Sequence, residues 1–276
     1  MSIMQMMFAG RRVINITISS TQTGGYNLYS AAGNPSDAVE VNLTVNADCQ
    51  YGIDQGTGWA AGSTCNIINN AGIYGTGGNG GGGGGAYLLG TTSYLSCAGS
   101  GNDGGDALTL RIPTVIDNGS GYIFGGGGGG GGGGSCADSS PFSSGTARAG
   151  GGGGGGGRGY NNAGGGSFGE TGSPSAGPGP YDGAPGSAGS SSAGGSGGAG
   201  GTSFGNYGGA GGNGGDWGQN GDAGIAASGP TLPSGCGFTG LGNAAGGGAG
   251  YAVRQNGNSC TFTAGNNASQ VKGSVG

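Results

Sequence analysis

Residues 123–136 read IFGGGGGGGGGGSC, with ten consecutive glycines from Gly125 to Gly134. The run is echoed by Gly80–Gly85 and Gly150–Gly157, and glycine supplies 84 of the 276 residues. An average chain carries about 7% glycine, so the excess needs a physical reason. Glycine loses more freedom on folding than any other residue, about 0.5–1 kcal/mol beyond alanine. A run without side chains can recover that loss only through its own N–H and C=O groups. Such segments either stay disordered or lie side by side and bond chain to chain. The ordered form open to polyglycine is an extended helix of three residues per turn, rising ~3.1 Å per residue without internal hydrogen bonds. Its amides point outward in three directions, so Gly125–Gly134 would make a rod roughly 30 Å long that bonds several neighbours. One hydrogen bond is worth only ~0.5–1.5 kcal/mol net, which predicts a bundle and not a lone rod.

The rest of the composition favours order. Charge is low, with 7 Lys and Arg, 12 Asp and Glu and a net charge of −5. Bulky residues such as Tyr160, Phe168, Phe204, Tyr207 and Trp217 punctuate the glycine, unlike a Gly/Ser linker. The acidic balance argues against nucleic-acid binding, and no apolar run is long enough for membrane insertion. Strict Gly-X-Y is absent, which excludes collagen. The start, MSIMQMMFAGRR, places its positive charges after the apolar stretch, the wrong order for a secretory signal.

Histidine is absent, so no Ser/His or Cys/His catalytic pair exists. Asp103, Asp106, Asp216 and Asp222 are scattered among glycines and lack the spacing of a calcium loop. A spatial carboxylate pair is the one route to catalysis left open. The expectation is a non-enzymatic protein with no cofactor and no metal. Six cysteines (Cys49, Cys65, Cys97, Cys136, Cys236, Cys260) are compatible with buried thiols or with one to three disulfides.

Working outward from the long run, LTLRIPTVIDNGSGYIF (residues 108–124) leads into Gly125, and TCNIINNAGIY (residues 64–74) leads into residues 75–85. In both, an apolar strand is followed by Asn and Gly, a short aromatic step, then polyglycine. The repetition suits a β-solenoid or β-prism with Asn and Gly at the corners, and it starts the two glycine runs side by side. VEVNLTVN (residues 39–46) alternates Val39, Val41, Leu43 and Val45 on one face, a strand. The fold expected is mainly β plus irregular structure. A docking segment spans 1–11 and a β-rich, solenoid- or prism-like attachment domain spans 12–124. A polyglycine-II bundle with loops at its ends spans 125–249, and a small C-terminal β cap spans 250–276.

Three stretches resemble glycine-rich tail fibre and receptor-binding tip proteins (adhesins) of tailed bacteriophages. They are YNLYSAAGNPSDAVEVNLTVN (26–46), WAAGSTCNIINNAGIYGTGGNGGGGG (59–84) with its echo IDNGSGYIFGGGGGGGGGG (116–134), and GYAVRQNGNSCTFTAGNNASQVKGSVG (250–276). The resemblance implies a virion component at the tail, assembled in the host cytoplasm, whose loops contact a host surface receptor, either polysaccharide or outer-membrane protein. It also implies other tail or fibre proteins as partners and a homotrimer, with rods bonding across subunits. Candidate receptor-contact residues are the loop aromatics Phe168, Tyr181, Phe204, Tyr207, Trp217 and Phe238. Candidate virion-docking residues are Met4, Met6, Met7 and Phe8, since methionine adapts to irregular sockets. A passive virion decoration, an ice-binding protein built of the same rods and a depolymerase are the rival readings.

Overall fold

The computed structural model describes residues 11–89, 92–137, 148–161, 163–166, 182–203, 205–228 and 243–276. Strands Arg12–Ile18, Val39–Val45, Thr64–Asn69, Thr114–Asp117 and Cys260–Ala264 form a five-stranded sheet in that order, every pair parallel. A second parallel sheet joins Gly72–Tyr74, Tyr122–Phe124 and Val271–Lys272. Bridges Gln22↔Cys49 and Cys49↔Ile73 extend it to the start of the chain. A third runs Tyr26–Asn27, Ile53–Asp54, Leu108–Thr109, Val253–Arg254, closed by the bridge Val253↔Val275. The chain therefore visits three faces in turn and does so five times, a solenoid of five windings.

Alternation explains the strands: Val39, Val41, Leu43 and Val45 are buried while Glu40, Asn42 and Thr44 face out. Leu28, Leu43, Ile53, Ile67, Ile73, Leu108, Ile116, Ile123 and Val253 meet in one core between the three faces. Asparagine stitches the windings together. Asn42 Nδ2 donates to Asn15 Oδ1 and Asn66 Nδ2 to Asn42 Oδ1, each at 3.0 Å. Inside, Asn69 Nδ2 donates to Asn118 Oδ1 at 2.8 Å, the pairing that a buried amide requires.

Two windings are interrupted between the second and third faces. The third leaves at Tyr74 and returns at Ala107; the fourth leaves at Phe124 and returns at Ala252. Apart from the short pairs Ala86–Leu89 with Thr92–Leu95, Cys136–Ala137 with Arg148–Ala149 and Thr202–Ser203 with Asn206–Tyr207, both excursions are glycine-rich segments outside the three sheets, and their backbone hydrogen bonds follow a period of three. Gly126, Gly129 and Gly132 donate to Gly105, Asn102 and Gly99. Gly127, Gly130 and Gly133 donate to Arg158, Gly155 and Gly152, and Gly128, Gly131 and Gly134 to Gln219, Asp222 and Ile225. The carbonyls accept from three further segments: Gly126 and Gly129 from Gly250 and Gly247, Gly127 and Gly130 from Gly78 and Gly81, Gly128 and Gly131 from Gly215 and Gly212. Gly125–Gly134 is thus ringed by six neighbours, and all ten residues are buried.

Segment 150–157 is surrounded in the same way and also wholly buried. The pure glycine runs are the interior ones. A Cβ on Gly130 would fall on the Gly212 carbonyl. Outer segments carry side chains one residue in three: along 193–201, Gly195, Gly198 and Gly201 are buried while Ala193, Ser196 and Ala199 are exposed.

These pairings revise two expectations. Glycine segments enter the array from residue 75, not from 125, because the third winding opens into it as well. Residues 253–272 are not a separate cap; they complete the same three sheets as residues 12–124 and form the last winding. As expected, the runs that start at Gly75 and Gly125 lie parallel and adjacent, Gly78, Gly81 and Gly84 bonding Gly127, Gly130 and Gly133.

Candidate functional site

The array has two unlike ends. At the end against the solenoid, Tyr74 and Phe124 close their strands with ring centroids 5.8 Å apart. Trp217 packs 5.4 Å from Tyr74 and 6.1 Å from Phe124, and Tyr160 5.1 Å from Tyr74. The Arg158 guanidinium lies 5.2 Å over the Trp217 ring and bonds the Asp216 carboxylate at 2.5 Å, while Lys272 Nζ sits 4.9 Å over Phe124. Burial pushes the Asp216 carboxyl up, but its bonds to Arg158 and to the Trp217 N–H and the nearby positive charge outweigh it and hold it below the usual aspartate value. Burial drives the Tyr74 hydroxyl up to about 12. Trp217 and Tyr160 sit in turns of this base, where an aromatic gains most by filling the junction.

The other end lies where the segments up to Gly85, Gly134 and Gly201 end and those from Gly150 and Gly208 begin. Short antiparallel pairs mark it: Ala86–Leu89 with Thr92–Leu95, Cys136–Ala137 with Arg148–Ala149, and Thr202–Ser203 with Asn206–Tyr207. Tyr207 also pairs with Ser228, and the Cys136 thiol donates to the Tyr207 carbonyl at 3.5 Å. Here Tyr207 is 53% and Ile225 60% exposed. Next to Tyr207, Asn206 is 1% exposed, and among the described residues neither its amide atoms nor the Ser203 hydroxyl has a hydrogen-bond partner.

The predicted contact residues therefore part company. Tyr207 is exposed at the end away from the solenoid. Trp217 is 4% exposed at the opposite end, a packing position, because its turn faces the solenoid. Phe168, Tyr181, Phe204 and Phe238, and the docking set Met4, Met6, Met7 and Phe8, lie outside the described residues. Ile225 is exposed beside Tyr207 and was not singled out in the sequence; its signal is a lone large aliphatic residue in a glycine segment. Cys49, Cys65, Cys136 and Cys260 are free thiols, and Cys97 is disulfide-bonded. Among the described residues no group of His, Cys, Asp or Glu could hold a metal ion. No helix among them is long and apolar enough to cross a membrane.

Such an arrangement defines a display scaffold, a solenoid at one end and loop-bearing turns on a dense array at the other. The chain belongs to the phage tail fibre adhesin Gp38 family, whose model matches residues 12–276. It is accordingly a tail fibre adhesin, a component of the virion tail. Among solved structures it is similar to the crystal structure of the gp37–gp38 adhesin tip complex of the bacteriophage S16 long tail fiber. That likeness has 24% identity over 96% of this chain and 82% of the other, with a TM-score of 0.45. No curated protein matches the chain.

Proposed function

We propose that the protein works as a non-enzymatic fibre-tip adhesin in which the glycine segments are polyglycine-II rods, packed six around one, holding receptor-contact loops rigidly away from the fibre. One observation carries the reading. Every donor from Gly126 to Gly134 is committed to another segment in a three-residue cycle, the geometry of three-per-turn rods, while the exposed Tyr207 hairpin stands where those rods end. Loops on a stiff support lose little entropy on contact. Tyr207, the loops bearing Phe168, Tyr181, Phe204 and Phe238, and Ile225 form the receptor face; Trp217 holds the base.

The solenoid end takes the opposite partner, another protein of the tail fibre. Among the described residues Arg12–Ile18 is the outer strand of its sheet, with Ile14 and Ile16 only half-buried beside the core, and the methionine-rich residues Met4, Met6, Met7 and Phe8 precede it. A homotrimer would rest on other contacts than those first expected, since the interior rods bond within one chain. The host receptor, polysaccharide or outer-membrane protein, is read by the loops alone.

The test is adsorption. Particles carrying Tyr207→Ala should assemble normally and bind host cells about tenfold more slowly or weakly, the effect of losing one central aromatic contact. Immunogold labelling with antibody to this chain should mark the fibre tips. Unchanged adsorption of this variant and of an Ile225→Ser variant, or label confined to the capsid, would overturn the reading.

A further inference from the structure

The flank of the solenoid carries a cleft of its own. It opens on the third face, across the first three windings, with a volume of about 170 Å³. Its floor is the buried Ile53 and the tight crossing at Gly52, where φ is +76° and a Cβ would press against the carbonyls of Asp106 and Ala107 at 2.7 and 2.9 Å. Gly25 leaves its rim bare, for a Cβ there would meet only the Tyr51 carbonyl at 3.8 Å. Asn27, Asp54 and Thr109 stand in register across three windings, rungs spaced ~4.8 Å apart, about the breadth of a pyranose ring.

The chemistry of the lining is selective. Both carboxylates are committed: Asp54 to the Arg111 guanidinium by two bonds at 3.2 Å and to the Gly56 N–H at 2.8 Å, Asp106 to Arg254 and to the Tyr251 N–H. A metal cation would have to displace an arginine, and an anion would face two carboxylates. The uncommitted groups are neutral. The hydroxyls of Tyr26, Tyr51 and Thr109 make no hydrogen bond among the described residues, and Asn27, whose Oδ1 caps the short helix at the Ser30 N–H, keeps its amide N–H groups free. Tyr51 is 36% exposed and offers a ring to stack on. Free hydroxyl and amide donors, rigid neutralised acceptors and an aromatic face are the ingredients that bind polyhydroxylated rings. We infer that this cleft is a saccharide-binding subsite for a neutral hexose glycan, separate from the receptor face, giving the adhesin a lateral hold on surface glycans while the loops engage their receptor.

The experiment uses the full chain and saturation-transfer NMR with maltotriose, cellotriose and mannotriose, each titrated into the millimolar range. The expected result is saturable binding of at least one of them, unchanged by raising sodium chloride to high concentration. Tyr51→Ala and Thr109→Val should each weaken it about five- to tenfold, the loss of one stacked ring or one hydrogen bond, with melting temperatures near that of the parent. Tyr207→Ala should leave it intact, so a failure of the receptor reading and a failure of this one are told apart. No binding of any of the three sugars, or binding that survives both cleft variants, would overturn the inference. Should Tyr51→Ala unfold, Thr109→Val alone carries the comparison.

Discussion

Tyr74 and Phe124 stand in register as the last residues of neighbouring parallel strands, and each is followed directly by a glycine segment. That pairing sets the phase of the array. Two chains launched side by side in the same direction offer N–H groups to carbonyls three residues apart, so Gly78, Gly81 and Gly84 find Gly127, Gly130 and Gly133. The solenoid is the template, and its rung spacing starts the two glycine segments in contact.

Phase gives the first prediction. One glycine inserted between Gly129 and Gly130 rotates the rest of the run by a third of a turn, and Gly130 through Gly134 then point at the wrong neighbours. Misdirecting those donors costs about 5 kcal/mol at ~1 kcal/mol per bond, enough to unfold the array. Inserting three glycines restores the phase and should be much milder. Thermal melts of the two insertion variants decide; equal damage from both would refute a three-residue period.

Packing density gives the second. Gly130→Ala places a methyl on the Gly212 carbonyl, where backbone on all sides leaves no room to shift. Overpacking of this kind costs about 3 kcal/mol or more. Ser196→Ala, at an exposed position of an outer segment, should fall within about 0.5 kcal/mol of the parent. Urea melts compare them, and similar midpoints would mean that the interior is not close-packed.

How much of this was legible beforehand follows the same physics. The alternation at Val39–Val45 and the twin strand–glycine units could be read because period-two burial and an abrupt loss of side chains are local signals. The fifth winding was misread as a cap because Cys260–Ala264 is an edge strand, with only Cys260 and Phe262 half-buried, so its sheet partners are invisible from its own composition. Trp217 was misplaced for a related reason. A lone aromatic among glycines looks like a display residue, and only the fold shows that its turn faces Tyr74 and Phe124. Tyr207, equally isolated in sequence, lies at the opposite end because one glycine segment, Gly208–Gly215, runs between the two.

Thiol chemistry gives the third prediction. Burial, then the charge of Asp48, pushes the Cys49 thiol up to about 12; burial alone pushes Cys65 to about 12 against a lowering bond from Gln55. At pH 8 the thiolate fraction of each is then about one in ten thousand. Iodoacetamide should leave both unlabelled in the native protein and label both in urea, read by peptide mass. Rapid labelling of Cys65 under native conditions would show that the solenoid core opens.

The ion pair at the base gives the fourth. Burial works against the charged Asp216 but Arg158, bonded to its carboxylate and stacked over Trp217, more than compensates, so the folded-state value lies below the unfolded one near 3.9. The stabilisation it contributes is complete above about pH 4 and is lost as pH falls through the lower folded value. The Asp216 side chain is 46% exposed, so solvent screening keeps the contribution small, about 1 kcal/mol or less. Asp216→Asn removes the charge and should lower the melting temperature at pH 7, and the difference from the parent should shrink as pH falls through the folded value and the parent carboxyl takes up its proton. The two melting curves should therefore converge on acidification. If the gap between them stays as wide on acidification as at pH 7, the Asp216 charge is not what ties the rods to the aromatic base, and the Trp217 packing holds that junction alone.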